Sequence, residues 1–191
     1  MMVSIEQHSV YEEPTPASAL SFDEVYTEHF DFVWRSVRRL GIHPPATDDV
    51  VQDTFIIAYR KLSSFEGRST LRSWLFGIAR RVVSDHHRSK RRRPEAELSE
   101  CGTLRTETAD GPHAMTAARE AAAVLQHFLE TLPDEQREVF VAVEIEQMSA
   151  PEFESASGVK LNTVYSRLRL ARAAFEKAAS QHRQLHESSG R

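Results

Sequence analysis

Three groups of side chains in this sequence have types and spacings that could do chemistry, and all three suit binding better than bond-breaking. The first lies at 65–93, where Arg68, Arg72, Arg80, Arg81, Arg88, Lys90, Arg91, Arg92 and Arg93 are interleaved with Phe65, Trp74 and Phe76. Guanidinium and ammonium groups track a phosphate backbone, and exposed aromatic rings stack on unpaired bases. Trp74 also falls in an apolar stripe, and Phe65 can anchor the loop before it, so both are expected to serve the core first. The second group lies in Leu161–Arg172. There Val164, Leu168, Ala171 and Phe175 fall on one helical face, and Asn162, Tyr165, Ser166, Arg169 and Arg172 on the opposite one. Hydrogen-bonding groups in the first turns with cations further along are what a helix needs to read base edges while gripping phosphates.

The third group is Asp48-Asp49-Val50-Val51-Gln52-Asp53. Val51, Phe55, Ala58 and Leu62 are expected to point inward, leaving Asp49, Gln52, Asp53, Ile56 and Arg60 as an outward stripe. Asp49 and Asp53 are one turn apart, a spacing that admits a weak divalent-cation site. An apolar Ile56 amid charges fits a protein partner better than a metal. Asp85-His86-His87 raises a metal phosphoesterase as the enzyme alternative. Two-metal sites draw on several further His/Asp clusters, and the neighbours here are arginines, which repel cations.

The elements that must position these groups are helical. Ser21 with Glu24 forms a capping box that opens a first helix, with Phe22, Val25, Phe30, Val33, Trp34 and Val37 as apolar candidates. A second helix runs from Asp48 to about Leu62. A third runs from about Thr70 to Lys90, with Leu71, Trp74, Leu75, Ile78 and Val82 as its buried stripe. Residues 91–115 are polar, contain Pro94, Gly102, Gly111 and Pro112, and lack a period, which predicts a linker. Further helices are expected over 116–131, 134–146, 150–157 and 161–180. Ser149 with Glu152 is a second capping box, and Gly158 a C-terminal stop. The last two helices have helix-turn-helix proportions. The fold class is therefore all-α: two small helical domains on a flexible linker, the C-terminal one holding the helix-turn-helix. The boundaries are a leader at 1–20, domains at 21–92 and 118–181, a linker at 93–117 and a tail at 182–191.

Charge is distributed unevenly. Residues 1–59 carry a net of -7, 60–93 a net of +9, 94–158 a net of -11 and 159–191 a net of +5. Two basic blocks at the ends of helical units suggest two separate contacts with a polyanion. One cysteine, Cys101, excludes an internal disulfide and argues against a cysteine-based zinc site. The leader carries Glu6, Glu12, Glu13, Pro14 and Pro16 rather than the basic start and apolar core of a signal peptide, and the expected location is the cytoplasm.

These same residues carry a family resemblance. Asp48-Asp49-Val50-Val51-Gln52-Asp53-Thr54-Phe55 resembles the core-polymerase-binding helix of region two in RNA polymerase sigma factors. Phe65 to Leu75, followed by Ile78-Ala79-Arg80, resembles that region's promoter-melting segment. Leu132-Pro133-Asp134-Glu135-Gln136-Arg137-Glu138-Val139-Phe140 is similar to the start of region four, and Leu161-Asn162-Thr163-Val164-Tyr165-Ser166-Arg167-Leu168 to its recognition helix. The motifs span about 21–90 and 120–178, in the order of the extracytoplasmic-function type of the sigma-70 family.

The resemblance implies that Asp49, Gln52, Asp53, Ile56 and Arg60 dock on the clamp helices of the polymerase β′ subunit. It implies that Ser63, Ser64, Phe65, Arg68, Ser69, Arg72, Arg80, Arg81 and Arg88 handle the minus-ten element. The loop Ser63–Thr70 would hold a flipped base at a few kcal/mol of unstacking. Asn162, Thr163, Tyr165, Ser166, Arg167, Arg169 and Arg172 would read the minus-thirty-five element in the major groove. Further implied partners are the polymerase β flap and an anti-sigma factor. No catalytic residue, cofactor, metal or membrane insertion is implied, and the chain would join the nucleoid when bound to polymerase.

Four positions depart from the family pattern. Glu154 and Ser157 stand where an alanine and a leucine are usual, Lys160 where a proline is frequent, and Arg81 where asparagine is. A carboxylate at the inward position of Glu154 either turns outward or loosens the packing. The rival readings are an ordinary helix-turn-helix transcription factor, which would bind duplex DNA without polymerase, and a polymerase-binding module without DNA recognition. The second-helix stripe argues against the first, and the outer face of the last helix against the second.

Overall fold

A computed structural model of the chain describes residues 20–92 and 112–189, with side chains over 20–92, 121–181 and at 184. Most of the leader, most of the expected linker, Arg93 and Cys101 lie outside the described residues.

The N-terminal unit is three helices: α1 (Phe22–Arg39), α2 (Ala46–Lys61) and α3 (Leu71–Arg92). The Ser21 N–H donates to the Glu24 carboxylate at 3.3 Å, which closes the start of α1. Asp23 and Glu24 in its first turn, with Arg38 and Arg39 in its last, suit the helix dipole. Gly41, at φ +100°, turns the chain toward α2. A short 3₁₀ turn over Leu62–Ser64 ends α2. Val25, Val33 and Val37 of α1, Val51, Phe55 and Ala58 of α2, and Leu75, Ala79 and Val83 of α3 meet in the core.

The C-terminal unit holds α4 (Pro112–Thr131), α5 (Asp134–Phe140), α6 (Ala150–Ser157) and α7 (Leu161–Ser189). Helix α4 starts inside the expected linker, with Pro112 in its first position, where a missing N–H costs nothing. The helix expected over 134–146 ends instead in a π turn, Val141–Ile145. The Met148 N–H then closes back on the Ala142 carbonyl at 2.9 Å. Ser149 caps α6 as expected: its hydroxyl and N–H both reach the Glu152 carboxylate, at 2.7 and 2.8 Å. Gly158, at φ +73°, ends α6 in the left-handed conformation. Helix α7 continues past the expected end at 180.

The expected α3 stripe needs one correction. Leu75 and Ile78 are buried, but Leu71, Trp74 and Val82 are only half-buried, while Phe76 is fully buried. Phe76, expected among aromatics that stack on bases, has its ring 6.5 Å from that of Phe153 in α6. The C-terminal unit lies against the second face of α3, and a single-domain reading of helical periodicity does not foresee a second buried face. The cores of the two units join through this pair.

Candidate functional site

On α2, Asp49, Gln52, Asp53, Ile56 and Arg60 are all exposed, as the stripe predicts, with Ile56 at 41%. Asp48 sits beside them and accepts a hydrogen bond from the Trp34 indole at 3.2 Å, pinning α2 to α1. The stripe borders a groove of about 790 Å³ whose floor is aromatic: Phe22, Tyr26 and Phe30 from α1, with Phe55 and Tyr59 from α2. Their rings pack edge-on and tilted at 4.7–6.4 Å. Tyr26 is 42% and Tyr59 65% exposed. Phe22 and Phe30 read in sequence as apolar candidates of the first helix, and Tyr26 did not. Their spacing at i, i+4 and i+8 was the available sign that they form one continuous surface.

In the loop after α2, Ser63, Ser64 and Arg68 are exposed and Ser69 is half-buried. Phe65 is buried, with its ring 5.2 Å from Trp74. The pair forms the base of the loop, the anchoring role expected of Phe65. Arg68 pairs with Glu66 at 2.6 Å in solvent. Arg81 and Arg88 are exposed on α3, the latter 3.6 Å from Asp85. His87 turns the other way, its Nε2 3.4 Å from the Leu40 carbonyl. Asp85 and His87 thus face different partners rather than converging on one point. Burial holds the His87 pKa below its ordinary value, with Arg137 and His86 acting in the same sense and the Leu40 carbonyl and Asp134 opposing.

Helix α7 buries Val164, Leu168 and Ala171 and exposes Asn162, Thr163, Tyr165, Ser166, Arg169 and Arg172. Phe175, expected inward, packs on Phe128 and Phe140 at 5.2 and 5.6 Å yet remains 42% exposed, because it lies at the edge of that cluster. Arg167 is half-buried, within the field of Glu138. Arg172 holds Glu144 of the π turn through Nε at 2.7 Å and Nη2 at 2.6 Å.

Glu154 neither swings into solvent nor loosens the unit. Its Oε1 accepts the Leu161 N–H at 2.8 Å, so a side chain of α6 caps the first turn of α7. Ser157 accepts the Val159 N–H at 3.1 Å within the intervening turn. Both unusual polar residues are satisfied by the backbone of the turn they flank.

The comparisons with known proteins match this arrangement. The family model for sigma-70 region 2 matches residues 25–93, and that for sigma-70 region 4 matches residues 122–175. The chain is 31% identical over 160 residues to the RNA polymerase sigma factor CnrH of Cupriavidus metallidurans, covering 80% of this chain and 83% of the relative. This chain belongs to the sigma-70 family, in its extracytoplasmic-function group. Another relative is the ECF RNA polymerase sigma-E factor of Salmonella typhimurium, 32% identical over 136 residues, 67% of this chain and 71% of that one. The solved CnrH, in complex with the cytosolic domain of CnrY, superimposes with a TM-score of 0.61 at 28% identity, covering 86% of this chain and 92% of that one. The sigma factor RpoE of Bartonella quintana, solved in complex with the anti-sigma factor NepR, shares the fold with a TM-score of 0.66 at 21% identity, over 83% and 96% of the two chains.

As a sigma factor, the chain acts in promoter recognition and transcription initiation. Its region 2 and region 4 meet over a polar rim around Phe76 and Phe153. Arg80 donates to Glu138 at 2.9 Å and to the Ser157 carbonyl at 3.3 Å. Arg39 and Arg72 reach Glu146 at 2.6 and 3.4 Å. Arg91 reaches Asp134 at 3.0 Å. Burial raises the Glu138 pKa above its ordinary value against the pull of Arg80 and Arg167. The basic block of 60–93 thus finds part of its counter-charge in the acidic block of 94–158, in the same molecule. Among the described residues, no helix is long and apolar enough to cross a membrane.

Proposed function

We propose that Asp49, Gln52, Asp53, Ile56 and Arg60, with the aromatic groove beside them, dock on the β′ clamp helices of core RNA polymerase. The observation that carries this is the pairing of an exposed acidic stripe with an apolar groove floored by Phe22, Tyr26 and Phe30. An amphipathic helix lays an apolar ridge in such a groove and sets its own cations against the acidic rim. The loop Ser63–Thr70 holds a flipped minus-ten base over the Phe65–Trp74 base. Arg72, Arg80, Arg81 and Arg88 guide the opened strand. The outer face of α7, from Asn162 to Arg172, reads the minus-thirty-five element in the major groove, and the C-terminal unit meets the β flap.

On this reading the chain supplies no catalytic residue and needs no cofactor; nucleotide addition belongs to the polymerase. The protein works in the cytoplasm, on the nucleoid when bound to polymerase. Two solved relatives carry protein partners, one of them an anti-sigma factor, which supports an anti-sigma factor as the regulator here.

The test is a titration of the full chain against bacterial core polymerase, followed by transcription from a pool of promoter fragments. Tight binding with new, chain-dependent start sites is expected. Asp53→Lys should weaken core binding about tenfold or more, as truncation or reversal at a buried interfacial charge does. Unchanged binding by that variant would remove α2 as the docking face.

A further inference from the structure

The outer face of α7 carries one residue that neither the core nor the polar chemistry of that face accounts for. Leu170 is 48% exposed, whereas Leu161, Ala174 and Ala178 of the same helix pack against the core. Asn162, Ser166 and Leu170 follow one another at four-residue spacing, so their side chains form one ridge. All three are exposed, on the side of α7 away from the buried Val164, Leu168 and Ala171. A lone leucine on a protein surface is ordinary. This one stands in the middle of a face assigned to DNA, in line with hydrogen-bonding groups and beside arginines.

The ridge has the length that base reading needs. Eight residues of helix rise about 12 Å, which matches the width of the major groove and spans about three to four base steps. Its chemistry changes from end to end. The Asn162 amide suits the two-point edge of an adenine. The Ser166 hydroxyl donates to the Asn162 carbonyl at 2.9 Å and keeps capacity to accept. Leu170 offers only hydrocarbon. In the major groove, the base edge that rewards hydrocarbon is thymine, through its C5-methyl group. A base presenting only donors and acceptors there would leave them unpaired against the leucine.

The arginines of α7 do not take over this end of the ridge. Arg172 is held by Glu144 through Nε at 2.7 Å and Nη2 at 2.6 Å, and Arg167 lies in the field of Glu138. Arg169 is exposed and has no carboxylate partner among the described residues. It is one residue from Leu170 and therefore about 100° around the helix, beside the ridge rather than on it. Phosphate and guanine contacts fall to Arg169, and base choice at the far end of the ridge falls to Leu170.

We propose that Leu170 is a specificity-determining residue that packs on the C5-methyl group of a thymine in the minus-thirty-five element. One thymine of that element is then chosen by its methyl group rather than by its hydrogen-bonding edge. This rests on the assignment of the outer face of α7 to the minus-thirty-five element.

The test uses the full chain assembled with core polymerase. Selection from a promoter pool randomised at the minus-thirty-five element gives the preferred sequence. Each thymine in it is then replaced in turn by deoxyuridine, which keeps every hydrogen-bonding group of the base and lacks only the methyl. At one position the replacement should weaken promoter binding about fourfold, the transfer value of one buried methyl. In Leu170→Ala that position should become indifferent to the methyl, while preferences elsewhere in the element stay as they were. Leu170→Met keeps the hydrocarbon and should keep most of the methyl effect. A preferred element without a methyl-sensitive thymine overturns the proposal. So does a methyl effect of equal size in the parent and in Leu170→Ala. Weakened core-polymerase binding by Leu170→Ala, with base preferences intact, overturns it in favour of a protein contact. Asn162→Ala and Arg169→Ala keep the two readings apart. If either changes the preferred element while Leu170→Ala does not, the α7 assignment stands and the role of Leu170 falls. If none of the three changes it, the α7 assignment falls as well.

Discussion

The Arg137 guanidinium reaches out of α5 to donate to the Leu40 carbonyl at 3.2 Å, across 97 residues of chain. Its other nitrogens hold the Leu129 carbonyl at 2.7 Å and the Leu132 carbonyl at 2.9 Å, so one buried cation ties α4, the start of α5 and the end of α1 together. Hydrogen bonds from a charged donor are worth about 1.5–3 kcal/mol each, and a lysine offers one point-like ammonium nitrogen where the guanidinium spreads three nitrogens in a planar fork. Arg137→Lys should therefore destabilise the chain by about 2–4 kcal/mol, read as a lower denaturant midpoint in urea. A midpoint equal to the parent's would mean that Arg137 is merely accommodated.

Glu154 is the cap of the recognition helix, and its removal should be felt in DNA binding before stability. Glu154→Ala leaves the Leu161 N–H without its acceptor and should cost about 1 kcal/mol, the usual value of an N-cap. The expected readout is a several-fold weaker affinity of the isolated sigma factor for minus-thirty-five duplex, with core-polymerase affinity unchanged. Glu154→Gln keeps an acceptor oxygen and should recover most of the loss. Equal loss in both variants would point to the charge rather than the cap.

The bounds of α1 and α6 were legible in the sequence because they carry local signs: Glu24 behind Ser21 at one start, Glu152 behind Ser149 at the other, and Gly158 past the end of α6. The exposed stripe on α2 and the buried face Val164–Leu168–Ala171 followed from period alone. What did not follow is whatever depends on residues far apart in the chain. Phe76 looked exposed because nothing near it in sequence reveals that Phe153 covers it. Glu154 looked misplaced because its acceptor role needs the geometry of the turn. Nothing local marks Glu138 and Glu146 as partners of Arg80, Arg39 and Arg72, since a carboxylate becomes meaningful only beside the arginine it neutralises. The charge blocks did hold the sign of this pairing, a net of +9 followed by one of -11, but two opposite blocks fit a shared polyanion as well as each other.

The Phe76–Phe153 contact should dominate the energetics of the join. Both rings are fully buried, and truncating a buried phenylalanine costs about 3–5 kcal/mol. Phe153→Ala should lower the melting temperature of the whole chain and also broaden or split the transition, because region 2 keeps its own core of Val33, Phe55 and Leu75 while losing its neighbour. Differential scanning calorimetry separates this from uniform destabilisation, which would keep a single sharp peak at lower temperature.

Two titrating groups at the join pull in opposite directions with pH. His87 is held below its ordinary 6.5, first by burial, so beneath that pH the unfolded chain takes up a proton that the native chain resists. Its contribution is present above 6.5 and is lost as the pH falls through the lowered native value. Asp134, Arg137, His86 and the Leu40 carbonyl face it; Arg137 and His86 act in the same sense as burial, and the Leu40 carbonyl and Asp134 oppose it. Glu138 is held above its ordinary 4.5, again first by burial, so above that pH the native chain keeps a proton that the unfolded chain has released. Its contribution rises on acidification and is lost as the pH climbs through the raised native value. Between 4.5 and 6.5 the two effects oppose. Thermal unfolding across that window should show His87→Gln losing less stability on acidification than the parent, and Glu138→Gln losing more. Parallel pH curves for all three proteins would mean that neither group titrates differently in the native and unfolded chains.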